Sequence, residues 1–205
     1  MSAVLNKTHY NAEDYLQIER SAPYKSEFCD GQIFAMTGAS RKHNLVCINI
    51  GSALHGQLKN RPCEAYLANM RVKAASAHSY HYPDISVVCG KPEFEDDHFD
   101  TLLNPTLLIE VLSPSTAHYD RSGKFANYRK IAALQEYLLV AQDLAHIEHY
   151  TRQETGWLLT EAEGLDAVMM LDSIGCFLNL SDVYDKVLND VANEIRGETR
   201  PHHTK

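Results

Sequence analysis

Within the run Thr106-Leu107-Leu108-Ile109-Glu110-Val111-Leu112 a single carboxylate stands among apolar side chains. A short apolar run rich in branched residues reads as a buried strand, and alternation places Glu110 on the face of Leu108 and Leu112. An ionised carboxylate buried without a partner is strongly unfavourable, so Glu110 requires a cation, a hydrogen-bond donor or a raised pKa. Asp84 has a similar setting, after Tyr82-Pro83 and before Ile85-Ser86-Val87-Val88. Two carboxylates on neighbouring strands can converge on one hard divalent cation. Mg2+ selects oxygen ligands and keeps several waters, so Asp84, Glu110 and the Val111 carbonyl would suffice, with Mn2+ as a substitute. Such an ion polarises a phosphodiester and lowers the pKa of water. A lysine beside that water stabilises the charge that builds in the transition state, and Lys124, on the segment after the strand, is placed for this. Each residue also has a plainer explanation. Asp84 could cap a turn after Pro83. Glu110 could be half of a buried ion pair with Arg71, Lys73 or Lys124. Asp120 is better explained as a helix-start or lysine-orienting residue than as a ligand.

The elements that must hold these residues follow from local pattern. Asn11 caps a helix through about Arg20, with Asp14 in its first turn. Asp30-Gly31 lies between two apolar-alternating arms, Glu27–Cys29 and Gln32–Phe34, and predicts a β-hairpin. Ser40 caps a helix through about Lys59, with Leu45, Ile48, Leu54 and Leu58 on its apolar face. Ala65–Lys73, Tyr82–Val88 and Thr106–Leu112 are expected strands, and Gly90–Pro105 an exposed loop. A helix is expected over Ser122–Ala133 with Lys124 in its first turn, where truncation would cost the fold little. Then come a strand Glu136–Val140, a meander of His146–Arg152 and Trp157–Glu161, an apolar piece around Ile174–Leu180, an amphipathic helix from Ser181 and a polar tail. The order implies an α/β fold, a mixed central sheet flanked by helices.

The pattern Glu27-Phe28-x-Asp30-Gly31, then His43, Pro83-Asp84-Ile85, Ile109-Glu110-Val111-Leu112-Ser113-Pro114-Ser115-Thr116 and Asp120-x-x-x-Lys124-x-x-x-Tyr128 resembles the Uma-type (Uma-two) endonucleases. These are a branch of the PD-(D/E)xK superfamily. The resemblance runs from about Asn11 to Tyr184. It implies a restriction-endonuclease-like core and metal binding by Asp84 and Glu110. It also implies a contact from Glu27 to a water on the metal, and a histidine, His43, of unassigned role. In one respect the chain departs from the superfamily: the usual Glu-x-Lys would put lysine at Leu112, and the family resemblance moves it to Lys124. The superfamily's habit of pairing active sites implies a homodimer acting on DNA.

Bulk properties set the bounds. The 205 residues suit one domain, with its core at about 11–184 and a polar tail at about 197–205. The chain is 44% hydrophobic and 22% charged, ordinary for a globular protein. A net charge of −8 argues against a passive nucleic-acid coat, though not against a nuclease whose cation reverses the local field. Arg41, Lys42, Arg71 and Lys73 are candidate phosphate contacts, with solvation as their plainer role. No signal-peptide core or membrane span is visible, and five scattered cysteines are expected as reduced, mostly buried thiols, which together place the protein in the cytoplasm. The close pairs His78/His81, His146/His149 and His202/His203 join no cysteine pair at zinc spacing. The competing function is a catalytically silent nucleic-acid- or protein-binding module on the same fold; a third is a phosphodiesterase acting on RNA or a nucleotide.

Overall fold

The computed structural model describes residues 9–74 and 79–188. His78, His202, His203 and the expected polar tail lie outside them. Helix α1 (Ala12–Ser21) begins at a capping box, in which the Asn11 side chain accepts from Asp14 N at 2.8 Å and the Asp14 carboxylate accepts from Asn11 N at 3.2 Å. Its Tyr15 ring stacks on Phe28 of β1 (Ser26–Cys29) at 5.2 Å. A tight turn joins β1 to β2 (Gln32–Ala35), with φ of 48° at Asp30 and 85° at Gly31. Positive φ at both central residues is the geometry that asparagine or aspartate followed by glycine supplies in a hairpin. Ser40 caps α2 (Arg41–Leu58) by accepting from His43 N at 3.1 Å.

The remaining strands are β3 (Cys63–Leu67), β4 (Arg71–Ala74), β5 (Ser79–His81), β6 (Ile85–Cys89), β7 (Thr101–Leu102), β8 (Leu107–Val111), β9 (Glu136–Val140), β10 (His146–Gln153), β11 (Gly156–Glu163), β12 (Val168–Leu171) and β13 (Cys176–Asn179). They form a six-stranded sheet in the order β11-β10-β9-β8-β6-β3, a five-stranded sheet β2-β1-β5-β4-β7 and a ribbon β12-β13. The β8–β9 and β4–β7 pairs are parallel and the others antiparallel. The fold is thus mixed α/β, with mixed sheets flanked by helices. On one face of the larger sheet, Ile85, Val87, Leu107 and Ile109 pack against Val46, Ile50, Leu54 and Leu58 of α2. Each such side chain contributes about 1.5–3 kcal/mol when fully buried. On the other face Val88, Leu108 and Leu139 meet Val72, Ala74 and Leu102 of the smaller sheet, together with Tyr128 and Tyr137.

Several local expectations are corrected. The stretch Ala65–Lys73 is two strands in different sheets, broken by a turn in which Met70 N donates to Leu67 O at 3.3 Å. The Gly90–Pro105 loop contains β7, because Leu102 is a core residue of the smaller sheet. On α2 the buried stripe is Val46, Ile50, Leu54 and Leu58; Leu45 is only partly buried and Ile48 is exposed. The helix expected from Ser122 starts earlier, because Ser113 O accepts from Ala117 N at 2.9 Å and Ser113 Oγ from Thr116 N at 3.2 Å. It runs as α3 (Ala117–Tyr119), a π-helical turn (Asp120–Lys124) and α4 (Phe125–Tyr128). Ile174–Leu180 holds β13 and the start of α5 (Leu180–Val183), and the helix expected from Ser181 is this single turn within the described residues. The cysteines differ as well. The antiparallel register sets Cys63 opposite Cys89, their Cα atoms are 4.0 Å apart, and the two form a disulfide. Of the free thiols Cys176 is buried, while Cys29 and Cys47 are partly exposed.

Candidate active site

Where β6 and β8 run antiparallel, Ile85 registers with Ile109. One residue further, Asp84 and Glu110 are cross-strand neighbours at the rim of a cavity of about 990 Å³. Glu27 of β1, His43 of α2 and Lys124 of the π-helical turn line the same cavity, as do Val111 and Asp120. All seven residues singled out in the sequence are brought together. The smaller sheet supplies Glu27, the larger sheet Asp84 and Glu110, and the helical segment crosses between them with Lys124.

Lys124 is the hub. Its Nζ lies 3.1 Å from Glu27 Oε1, 3.1 Å from Glu110 Oε1 and 3.6 Å from Asp120 Oδ1. It is not in the first turn of its helix, as the sequence suggested, but mid-helix and 7% exposed. Insertion of a π-turn shifts the helix by one residue, and such turns recur at functional sites. Tyr128 OH donates to Glu110 Oε1 at 2.9 Å. Both contacts to Glu110 fall on Oε1. On Asp84, Oδ2 accepts from Val111 N at 2.8 Å and meets His43 Nε2 at 3.1 Å. Among the described residues Asp84 Oδ1 and Glu110 Oε2 accept no hydrogen bond.

The electrostatics follow from three carboxylates around one ammonium, with Asp84 close to Glu110 as a fourth acid. Burial pushes the Glu110 carboxyl well above its ordinary range; Lys124 opposes this, while Asp84, Asp120 and Glu27 add to it. Asp120 is raised by burial against the same opposing lysine. Glu27 goes the other way: burial would raise it, but Lys124, the His81 hydrogen bond and the Tyr82 N–H hold it down at about 2. Lys124 is itself raised despite burial, by Glu110, Glu27 and Asp120 in turn. The donor set is one that fits a hard divalent cation: two neighbouring carboxylates, each with an oxygen to spare, beside a backbone carbonyl.

Three further residues lie beside the site that the sequence reading did not place there. His81 Nδ1 lies 3.3 Å from Glu27 Oε2 and its Nε2 3.5 Å from Asn127 Nδ2. Cys47 Sγ lies 3.5 Å from His43 Nδ1. Their signals were weak: His43-x-x-x-Cys47 is one helical turn, and His81 precedes Pro83-Asp84. Of the candidate phosphate contacts, Arg71 is buried 2.9 Å from Asp100, Lys73 reaches Glu95 at 2.5 Å and Lys42 lies 3.5 Å from Asp143. Arg41 donates to Lys186 O at 3.4 Å. Leu112, the superfamily's lysine position, is buried in the core shared by the two sheets.

Fold and site together define the class: a restriction-endonuclease-like α/β fold with an acid-and-lysine centre between its sheets. The chain belongs to the Uma2 family, described as "Putative restriction endonuclease", whose model matches residues 12–181. It is 40% identical over 168 residues to the uncharacterized protein sll1609 of Synechocystis sp. (strain ATCC 27184 / PCC 6803 / Kazusa), covering 82% of this chain and 95% of that protein. It is 35% identical over 173 residues to slr1290 of the same organism, also uncharacterized, covering 84% and 90%. A crystal structure described as a putative nuclease belonging to DUF820, from Anabaena variabilis ATCC 29413, shares the fold with a TM-score of 0.73. Their identity is 20%, over 87% of this chain and 99% of that one. Among the described residues no helix is long and apolar enough to cross a membrane.

Proposed function

We propose that this protein is a Mg2+-dependent endonuclease that hydrolyses phosphodiester bonds of DNA. The observation that carries the reading is the excess of four carboxylates over one buried lysine at the wall of a large cavity. Such a cavity repels a phosphodiester until a cation enters, and Asp84, Glu110 and the Val111 carbonyl are the groups that would hold it. When bound, Mg2+ or Mn2+ would neutralise the phosphate and lower the pKa of an attacking water. The chain's own groups do the rest. Lys124 has three N–H donors and three carboxylates around it; with Glu110 engaged elsewhere, one donor is free for a phosphate oxygen in the transition state. Glu27 and Asp120 hold that ammonium in place, Tyr128 orients Glu110, and His43 with Val111 N–H orients Asp84.

The test is Mg2+-dependent cleavage of plasmid and single-stranded DNA, with RNA as a parallel substrate, by the wild type, Asp84→Asn and Glu110→Gln. Cleavage by the wild type that both substitutions abolish supports the reading. Equal rates in all three proteins sink it. One observation favours the silent binding module instead, namely that Lys124 is already saturated by its own carboxylates. That module would bind nucleic acid or protein with no metal-dependent cleavage of either nucleic acid. The same proposal includes a homodimer, which lets two centres address two strands and which light scattering at tens of micromolar would contradict by a monomer mass. It also includes a cytoplasmic location, testable by cell fractionation.

A further inference from the structure

His43 and Cys47 stand one turn apart on α2, so both side chains leave the same face of the helix. That face meets Asp84. Asp84 Oδ2 is 3.1 Å from His43 Nε2, and His43 Nδ1 is 3.5 Å from Cys47 Sγ. One carboxylate oxygen, one ring nitrogen and the sulfur lie within 4.8 Å of one another, and all three side chains are half-buried. The three residues line the cavity, so a further ligand position faces solvent. Tetrahedral zinc, with ligands at about 2.0–2.3 Å, sets its donor atoms roughly 3.3–3.8 Å apart. From within 4.8 Å of one another the three donor atoms close in by up to about 1–1.5 Å, with one nitrogen of the His43 ring turned toward both partners. The helix holds two of the ligands rigidly, since Ser40 fixes its first turn and is itself held by Gln142 Oε1 at 2.6 Å.

We infer that His43, Cys47 and Asp84 form a second cation site, selective for Zn2+ over Mg2+. Selectivity comes from the donors. A thiolate and an imidazole favour a borderline-soft ion, whereas Mg2+ takes oxygen ligands. On binding, the thiol proton leaves to bulk solvent and the sulfur becomes an anionic ligand. Asp84 belongs to both sites. A zinc ion on His43, Cys47 and Asp84 withdraws that carboxylate from the pair it makes with Glu110, so zinc inhibits Mg2+-dependent cleavage. The inhibition rests on the function proposed above; the binding does not.

The experiment uses the full-length protein, reduced and kept free of oxygen, titrated with Co2+ as an optical stand-in for zinc. The expected result is one equivalent of tetrahedral d–d absorption with a thiolate-to-cobalt charge-transfer band, bleached by Zn2+ but not by millimolar Mg2+. Cys47→Ser should lose the charge-transfer band. His43→Gln and Asp84→Asn should each weaken Co2+ binding by more than about tenfold. Glu110→Gln should keep the band, which separates this site from the magnesium pair. Absence of the band in the wild type, or its persistence in Cys47→Ser, overturns the inference. In cleavage assays Cys47→Ser should retain Mg2+-dependent activity and escape zinc inhibition; inhibition equal to the wild type's overturns the regulatory consequence. If no protein cleaves under any condition, the nuclease reading fails while the cobalt spectrum still decides the site.

Discussion

Among the described residues, the charged clusters around Arg71 and Lys124 are built on opposite principles. Around Arg71, the guanidinium donates to Thr101 Oγ1 at 3.0 Å and Tyr82 OH at 2.9 Å and meets Asp100 Oδ2 at 2.9 Å. Glu19 accepts from Ser26 N and from Tyr82 OH, and Arg20 closes on Asp100 and Asp96. Two guanidiniums face three carboxylates, of which Asp96 and Asp100 are a third open to water. The pairing shifts Arg20, Arg71, Asp96 and Asp100 toward their charged forms. The Arg20 hydrogen bond first, against burial, and then Arg71 hold the Asp100 carboxyl far below its ordinary value. Around Lys124 one ammonium serves three carboxylates, with Asp84 as a fourth acid held by His43 and Val111 N, and Glu110 and Asp120 are pushed toward the neutral form. The first cluster gives each guanidinium a carboxylate and braces α1 against the smaller sheet. The second lacks positive charge and opens on a cavity. Burying charge costs the same kind of desolvation in both; the larger acid excess around Lys124 is what a cation from outside would offset.

The comparison breaks most visibly at the two cations. Lys124→Ala is expected to raise the barrier to cleavage by about 2–4 kcal/mol, and to destabilise the metal-free protein by roughly 3–5 kcal/mol because buried carboxylates lose their partner. Arg71→Ala is expected to cost stability on the same order, with activity per folded molecule unchanged. Chemical denaturation beside single-turnover cleavage separates the two losses. An Arg71 variant that folds but is as inactive as the Lys124 variant would erase the distinction. Leu112→Lys, which restores lysine to the superfamily's position, should not rescue Lys124→Ala, because Leu112 points into the apolar core and not into the cavity. Recovery of metal-dependent cleavage in the double variant would show that the site has a second way to place its ammonium.

Two carboxylates of the same cluster sharpen the contrast through pH. Glu27 is depressed from 4.5 to about 2, so its contribution to stability is present above about pH 4.5 and is lost as pH falls toward 2. Glu110 is raised, so its contribution is present below 4.5 and is lost as pH rises through its folded value. Without divalent cation at neutral pH, Glu110→Gln should therefore raise Tm while removing activity, and Glu27→Gln should lower it. Melting curves between pH 2 and 8 read both signs, and a lower Tm for Glu110→Gln at neutral pH would contradict the excess-acid account. The smallest effect is expected at Gly123. A Cβ there would meet the Tyr119 ring at 2.5 Å, so Gly123→Ala should displace a cavity-lining ring and change KM more than kcat. Unaltered KM would place Tyr119 outside the substrate's path.

The polar residues that matter were legible in the sequence because they break a local rule. Glu110 interrupts an apolar strand, Asp84 follows a proline at a strand start, and Asp30-Gly31 marks the hairpin that carries Glu27. Capping residues gave the starts of α1 and α2 for the same reason: a side chain bonded to backbone two or three residues on is a local event. What the sequence could not show was long-range. The break at Ala68–Met70 depends on two sheets needing the chain in turn. The burial of Lys124 depends on Glu27, far back in the chain, arriving from the smaller sheet. The pairing of Cys63 with Cys89 depends on strand register. His43 and Cys47 are adjacent on any helix, but only the placement of β6 brings Asp84 to them. Composition and local pattern determined which groups had to find partners. Tertiary structure alone decided which partners they found, because a buried charge constrains the sum around it and not the identity of its neighbours.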